Sequence, residues 1–356
     1  MNAIPRTAAR HPLRHTLVVL AKISLATALL AYLLVQVQQQ AGFARLVQEP
    51  KNWFLLTLGL ACTMVAISLT FVRWHLLLTA LGLNFRLVES MRLGALGFAL
   101  NFVSLGSIGG DLFKAIFAAK DSPGRRTEAV STVVLDRLLG MMMMLALASA
   151  ASFLVDWTAA PMGIRVLVQT IRLTAVAMIA GVTLVLLVPA LSGPRIRSLL
   201  NRVPVAGKLA SRLIGIVSDY RDEKRFVLGA CGISIFSNTF FILSFYFVAQ
   251  GLPVQAPSLA EHFVIVPTAN LAGAIPATPS GLGTMELAVD KLYQTVPTHV
   301  RIPAGDGTLV ALGQRATMIL VAGMCLVFYV IQRGDLRKTL HEIEEVEAAA
   351  EAVQAT

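Results

Sequence analysis

Charge is scarce in this chain. Asp, Glu, Lys and Arg together make up 14% of its 356 residues, against about 25% in an ordinary soluble domain. With 56% hydrophobic residues and a mean hydropathy of +0.71, the composition excludes a soluble globular domain and points to an integral membrane protein. Cysteine is scarcer still. Cys62, Cys231 and Cys325 lie far apart and inside apolar runs, which is neither a disulfide framework nor a metal pattern. The six histidines are scattered and suggest no metal cluster. A Walker A loop, a His-Glu-x-x-His helix and a nucleophile elbow are all missing. No cofactor is expected, and the longest cytoplasmic loop, over 194–225, is too short for a soluble catalytic domain. The chain is therefore expected not to be an enzyme, unless membrane carboxylates themselves do the chemistry. A net charge of +10 would suit nucleic acid in a soluble protein, but in a chain of membrane spans the position of the charge decides its meaning. No nucleic-acid partner is expected.

Long apolar runs are what the sequence has instead. Stretches near 16–36, 53–72, 128–155, 169–190, 226–250 and 308–331 each reach the roughly 20 residues a helix needs to cross hydrocarbon. The first follows Arg6, Arg10 and Arg14 and precedes no small-residue cleavage site, so it reads as a retained signal anchor. Two further segments, 88–119 and 262–293, are apolar but interrupted by glycine, proline and charge. If these are hairpins that return to the side they enter from, the cytoplasmic stretches hold Arg73, Arg86, Arg92, Lys120, Arg125, Arg126 and eight basic residues from Arg195 to Arg225. Arg333, Arg337 and Lys338 fall on the same side. The outer loops hold only Arg45, Lys51, Arg165, Lys291 and Arg301. This bias puts both termini in the cytoplasm, in a bacterial-type inner membrane. Making both broken segments full spans gives eight crossings, but moves Lys120, Arg125 and Arg126 outside.

The fold class expected is an all-α polytopic membrane protein, with six full spans plus two re-entrant hairpins (or eight spans). Residues 1–15 form a cytoplasmic N-terminus, 16–331 a single transmembrane domain, and 332–356 a cytoplasmic amphipathic tail. Halves over 16–155 and 169–331 share one layout with inverted topology. Paired Gly/Pro-broken segments in inverted halves are the best sequence pointer to a transporter's binding site.

The first broken segment contains SLGSIGGDLFKA over 104–115, and the second GAIPATPSGLGTMELAVD over 273–290. Each is an apolar approach, a glycine-rich turn and a short helix carrying an acid. Gly109 and Gly110, like Gly281 and Gly283, permit tight backbone geometry, while Pro276 and Pro279 interrupt a helix ladder. Asp111 and Thr284 are expected as helix N-caps. Non-helical backbone at membrane depth is tolerated only when protein buries it or a wet cavity borders it, so both turns are expected to line a cavity. A helix N-terminus there would attract phosphate.

Charges inside apolar runs complete the candidate site. Asp136 and Arg137 lie two to three turns into their span, where an ionisable group is functional by default, and the planar fork of Arg137 suits phosphate. Glu286 and Asp290 are four apart on one helix face, where like charges repel. A cation between them, a proton on one, or exposure of Asp290 would relieve this, and Lys291 could serve Asp290 alone. Gly109, Gly110, Asp111, Arg137, Gly281, Gly283 and Glu286 are the primary substrate-binding candidates. Lys114, Asp136, Asp290 and Arg315 are secondary, Arg315 also suiting an outer-interface anchor. The loop over 194–225, with Leu199, Leu200, Leu209, Leu213 and Ile216 among basic residues, reads as a helix on an anionic lipid surface.

The motifs GGDLFKA at 109–115, VVLDRLLG at 133–140 and PSGLGTMELA at 279–288, in that order, resemble the lysylphosphatidylglycerol synthase transmembrane, or flippase-like, family. Such proteins resemble the flippase part of the multiple peptide resistance factor. That implies movement of an aminoacylated phospholipid between leaflets, with the matching glycines, Asp111, Asp136, Arg137 and Glu286 at the site. Ser280 stands where a glycine is expected, and the chain carries no aminoacyl-transferase domain, so it is not expected to make lysyl-lipid. The resulting expectation is a lipid flippase whose substrate is an aminoacylated phospholipid or a polyprenyl phosphate. Asp111 and Glu286 would receive a cationic head group or proton, and Arg137 with the turn N–H groups would hold phosphate. The alternatives are a non-transporting subunit that recruits a lipid- or glycan-modifying enzyme, and a membrane-embedded lipid-modifying enzyme. A homo-oligomer is left open.

Overall fold

The computed structural model describes residues 48–103, 109–193, 206–274, 282–297 and 301–333, with isolated positions 46, 196, 198, 200 and 202. Among them are ten α-helices and no strand. Five are long and apolar enough to cross a membrane: α1 (Trp53–Ala80), α4 (Arg126–Ala151), α5 (Met162–Leu187), α7 (Lys224–Gly251) and α10 (Asp306–Arg333, apolar through Ile331). The protein is an integral membrane protein. Both broken segments form pairs of shorter helices, α2 (Leu87–Val103) with α3 (Gly109–Lys120) and α8 (Leu259–Ala274) with α9 (Thr284–Thr295). A further helix, α6 (Ala206–Ser218), lies in the basic loop. The expected span at 16–36 and the tail from 334 lie outside the described residues.

Two boundaries differ from the sequence reading. α1 runs on to Ala80 rather than ending near 72, because the residues after Arg73 (Trp74, Leu77, Leu78) are apolar and fully buried. Arg73 is therefore inside the helix and buried, not in a cytoplasmic loop. α5 starts at Met162, ahead of the apolar run expected from 169. Its outward residues Val166, Leu173, Val176 and Leu187 are exposed, as lipid-facing side chains should be.

α1 and α7 form the central pair, packed along their lengths with opposite directions. The Asn52 N–H donates to the Gly251 carbonyl (2.9 Å) at one end, Ser237 Oγ donates to the Ala66 carbonyl (2.9 Å) further along, and Arg73 meets Ser234 near the other. Small residues allow the approach: a Cβ on Gly59 would lie 3.0 Å from Val248 and one on Gly251 2.8 Å from Leu56. Small residues at the seam are what membrane helices need, since apolar surface gains little from pairing within lipid. Buried polar groups add to it. Gln314 of α10 donates to Thr63 of α1 (3.3 Å) and Ser244 of α7 (2.8 Å).

Around this pair the contacts repeat. α2 packs on α10, and α8 packs on α4, so each hairpin leans on the last long helix of the other half. α3 packs on α4 as α9 packs on α10. One apolar cluster gathers α2, α3 and α4 about the end of α1 (Trp74, Leu78) and takes in Tyr329 late in α10. Another gathers α8 and α9 about the end of α7 (Phe245, Val248) with Val310 early in α10. Because α1 and α7 run oppositely, the hairpins sit at opposite ends of the pair.

Inside the first hairpin, α2 and α3 touch at glycine. A Cβ on Gly110 would lie 1.8 Å from the Gly97 carbonyl oxygen, and one on Gly97 2.8 Å from the Gly110 oxygen. Neither oxygen can retreat without breaking a helix. Gly110→Ala is therefore expected to destabilise by about 2 kcal/mol or more through overpacking. Its thermal midpoint in detergent should fall well below wild type, whereas Gly163→Ala, with open space around the site, should leave the midpoint unchanged.

Candidate functional site

Asp111 is the third residue of α3, and Glu286 the third residue of α9. Each acid meets an arginine from the long helix that follows its hairpin. The Arg137 Nε–H of α4 donates to Asp111 Oδ2 across 26 positions, and the Arg315 Nε–H of α10 donates to Glu286 Oε1 (2.5 Å) across 29. Arg137 is eleven residues in from the start of α4 and Arg315 nine from that of α10, depths of about 17 and 14 Å at 1.5 Å per residue. The two pairs thus stand at like distances along the long helices that follow each pair of shorter ones.

Both arginines face one cavity of about 250 Å³, whose lining also includes Arg73, Lys114 and Asp136, with Asn101 on α2. The rest of its wall is mainly apolar, with Ile67 and Phe71 of α1, Phe98 and Phe102 of α2 and Met318 of α10. Lys114 is 3.6 Å from Asp111 Oδ1 and stands 5.5 Å over the Trp74 ring. Asp111 therefore answers two cations. Asp136 takes the Arg73 Nε–H (2.7 Å), and Arg73 Nη1 donates to Ser234 of α7 (3.0 Å), which fastens α1, α4 and α7 together. Gly140 lies under the same guanidinium, where a Cβ would be 2.8 Å from Nη1.

The expected glycine cradle is used differently. α3 begins at Gly109, so Asp111 lies in its first turn instead of capping it. Gly283 at φ 82°, not Thr284, caps α9, since only glycine holds that left-handed geometry without strain. The Gly110 N–H donates to Asn101 Oδ1 (3.0 Å), and the Gly283 N–H to Glu286 Oε2 (2.7 Å). Those two donors are satisfied within the protein, as an apolar surround demands, and are not offered to a phosphate. Gly281 lies outside the described residues.

Asp290 does not join the site. Its Oδ1 accepts the Gly305 N–H (2.7 Å) and the Thr308 N–H (3.3 Å), and its Oδ2 accepts from Gln294 (2.6 Å), so it ties α9 to the start of α10. The crowding of Glu286 and Asp290 is resolved by separate partners: Arg315 takes the first and backbone amides the second. Arg315 moves the other way, from a secondary candidate to the counterpart of Arg137. Arg73 is the residue the sequence reading missed. Its signal was a lone cation followed by WHLLLTALGL over 74–83, apolar enough to continue the helix.

The family model for the lysylphosphatidylglycerol synthase transmembrane region matches residues 19–327. The chain belongs to this family. No match was found among curated proteins or solved structures. Membership in the lysylphosphatidylglycerol synthase transmembrane family fits a membrane role concerned with lipid, and its matched stretch contains both ion pairs and the cavity between them.

Arg73 and Asp136 are both almost fully buried, and removing one partner of such a pair strands the other charge, at about 3–5 kcal/mol. Arg73→Met should lower the thermal midpoint sharply. Arg73→Met with Asp136→Leu should recover most of the loss; a double variant no better than the single would show that the pair is not the source.

Proposed function

We propose that this protein is a lipid transporter that moves a phosphate-bearing lipid head group between the leaflets of a bacterial-type inner membrane, with both termini in the cytoplasm. The observation that carries this reading is the convergence of two like-placed ion pairs, Asp111–Arg137 and Glu286–Arg315, on one cavity. Broken helices meeting at mid-depth between inverted halves are the architecture of many secondary transporters. Three features support inversion and re-entrant hairpins: the opposed α1 and α7, the hairpins at opposite ends of that pair, and component helices of 17, 12, 16 and 12 residues, each under the roughly 20 needed to span.

In this mechanism the head group enters the cavity while acyl chains remain in lipid along its apolar wall. Arg137, whose side chain is 55% exposed, and Arg315 hold phosphate through charge-assisted hydrogen bonds. Asp111 and Glu286 act as holders of the arginines rather than as receivers of a cation. Loosening one pair lets its hairpin swing and open the cavity to one side; loosening the other opens it to the opposite side. No bond is made or broken, and the driving force is an ion gradient, the membrane potential or mass action.

α6 supports the reading of a surface helix in part. Leu209 is exposed, but Val217 is buried and Ile214 and Ile216 pack against the neighbouring core. One edge of the helix is thus seated on the bundle, leaving Leu209 and the exposed Lys208 and Arg212 to meet anionic lipid.

Proteoliposomes with fluorescent phosphatidylglycerol or a polyprenyl phosphate in one leaflet test the proposal. Wild type should equilibrate at least one of these lipids across the bilayer, and Arg137→Ala and Arg315→Ala should each reduce the rate to that of empty vesicles while the protein elutes as a folded species. Equal rates in the variants and wild type, or no lipid movement by wild type, would overturn it.

A further inference from the structure

The charges around the cavity do not balance, and the imbalance has one sign. Four cations line it, Arg73, Lys114, Arg137 and Arg315. Together with their partners these groups include three carboxylates, Asp111, Asp136 and Glu286. Among the described residues one positive charge is left over. Lys114 is the source, since Asp111 already accepts a hydrogen bond from Arg137 and meets the ammonium only at 3.6 Å. The segments adjoining the hairpin tips add nothing to offset it: residues 104–108 and 275–281 contain no Asp or Glu, and the run 16–36 has Lys22 as its single charge.

Exposure points the same way. The side chains of Glu286, Asp136 and Asp111 are 1%, 4% and 15% exposed, whereas that of Arg137 is 55% exposed. An entering head group meets guanidinium first, with the carboxylates behind it and engaged. A lipid phosphodiester brings one negative charge that answers the surplus. A lysyl-phosphodiester brings one phosphate and two ammonium groups, for which the cavity has no uncommitted carboxylate, and seating it would leave two like charges in a space of about 250 Å³.

We infer that the cavity selects lipids with a net-negative phosphate head group and rejects aminoacylated lipids whose head group is net-positive. This rests on the transport reading above and narrows its substrate class. Selection works by repulsion as well as attraction, which is how a charged site discriminates most strongly.

The test offers the full-length protein phosphatidylglycerol, zwitterionic phosphatidylethanolamine and lysyl-phosphatidylglycerol, one at a time. Retention is read by native mass spectrometry from detergent, and leaflet exchange in proteoliposomes. Phosphatidylglycerol should be retained over the lysyl lipid by about tenfold or more, since even at the effective dielectric of a protein surface one surplus unit charge a few ångströms away exceeds the roughly 1.4 kcal/mol that a tenfold preference needs. Lys114→Met, which keeps the side chain's length beside Gly97, should erase most of that preference, and Lys114→Arg should keep it. Equal or stronger retention of the lysyl lipid by wild type would overturn the inference even if neither variant folds, as would a preference unchanged in a folded Lys114→Met. If lipids exchange without charge preference, the inference alone fails; if none exchanges, the transport reading fails with it.

Discussion

Five charged side chains line a cavity, and two further carboxylates pair with them, in a bundle whose helices present Leu173, Val176, Phe236, Leu320 and Val327 on their outer faces. An ionisable group at the centre of a bilayer costs at least about 2.5–3.5 kcal/mol, so these residues can exist only if they find partners and turn inward. That requirement organises the structure. Arg73 with Asp136 and Ser234 ties α1, α4 and α7. Asp111 with Arg137 ties the first hairpin to α4, and Glu286 with Arg315 ties the second to α10. Each ion pair therefore joins two helices, and of the other elements bordering the cavity Gln314 ties α10 to α1 and α7, while Gly97 and Asn101 hold α2 against α3.

The pairs differ in a way that matters for movement. Arg73 and Asp136 are 6% and 4% exposed, packed against Gly140 and tied through Ser234 to α7. Arg137 is largely exposed at its cavity face, and Arg315 is intermediate at 13%. A buried pair resists opening because both charges would be stranded, while a pair beside a wet cavity can exchange its partner for a ligand. The first is suited to a fixed hub, and the other two to contacts that change hands in the transport proposed above.

Much of the fold was legible because its signals are local. Apolar runs marked the long helices, and the Gly/Pro interruptions at 104–110 and 273–283 marked the two pairs of shorter helices. The charged groups of the candidate site were partly legible for the same reason: Asp111, Arg137 and Glu286 stand out as charges in apolar surroundings. Their pairing was not, because partners 26 and 29 positions apart meet only after the hairpins fold back. Arg73 was assigned to a loop since a count of apolar residues stops at the first charge, whereas a helix stops only where packing does. Asp290 looked like a site residue by its spacing from Glu286, yet the backbone N–H groups of Gly305 and Thr308 claim it. Spacing along a helix fixes which face a side chain shares, not what lies opposite.

The central claim is a wet, positively biased cavity lined by α1, α2, α3, α4 and α10, and the reactivity of a thiol placed in its wall measures it most directly. In a background lacking Cys62, Cys231 and Cys325, Thr70→Cys on α1 and Met318→Cys on α10 would be exposed to anionic and cationic methanethiosulfonates of similar size. Both cysteines should react, and each should react faster with the anionic reagent. A thiol that reacts with neither would mean a dry, closed interior, and faster modification by the cationic reagent would mean that the carboxylates, not the arginines, face the space.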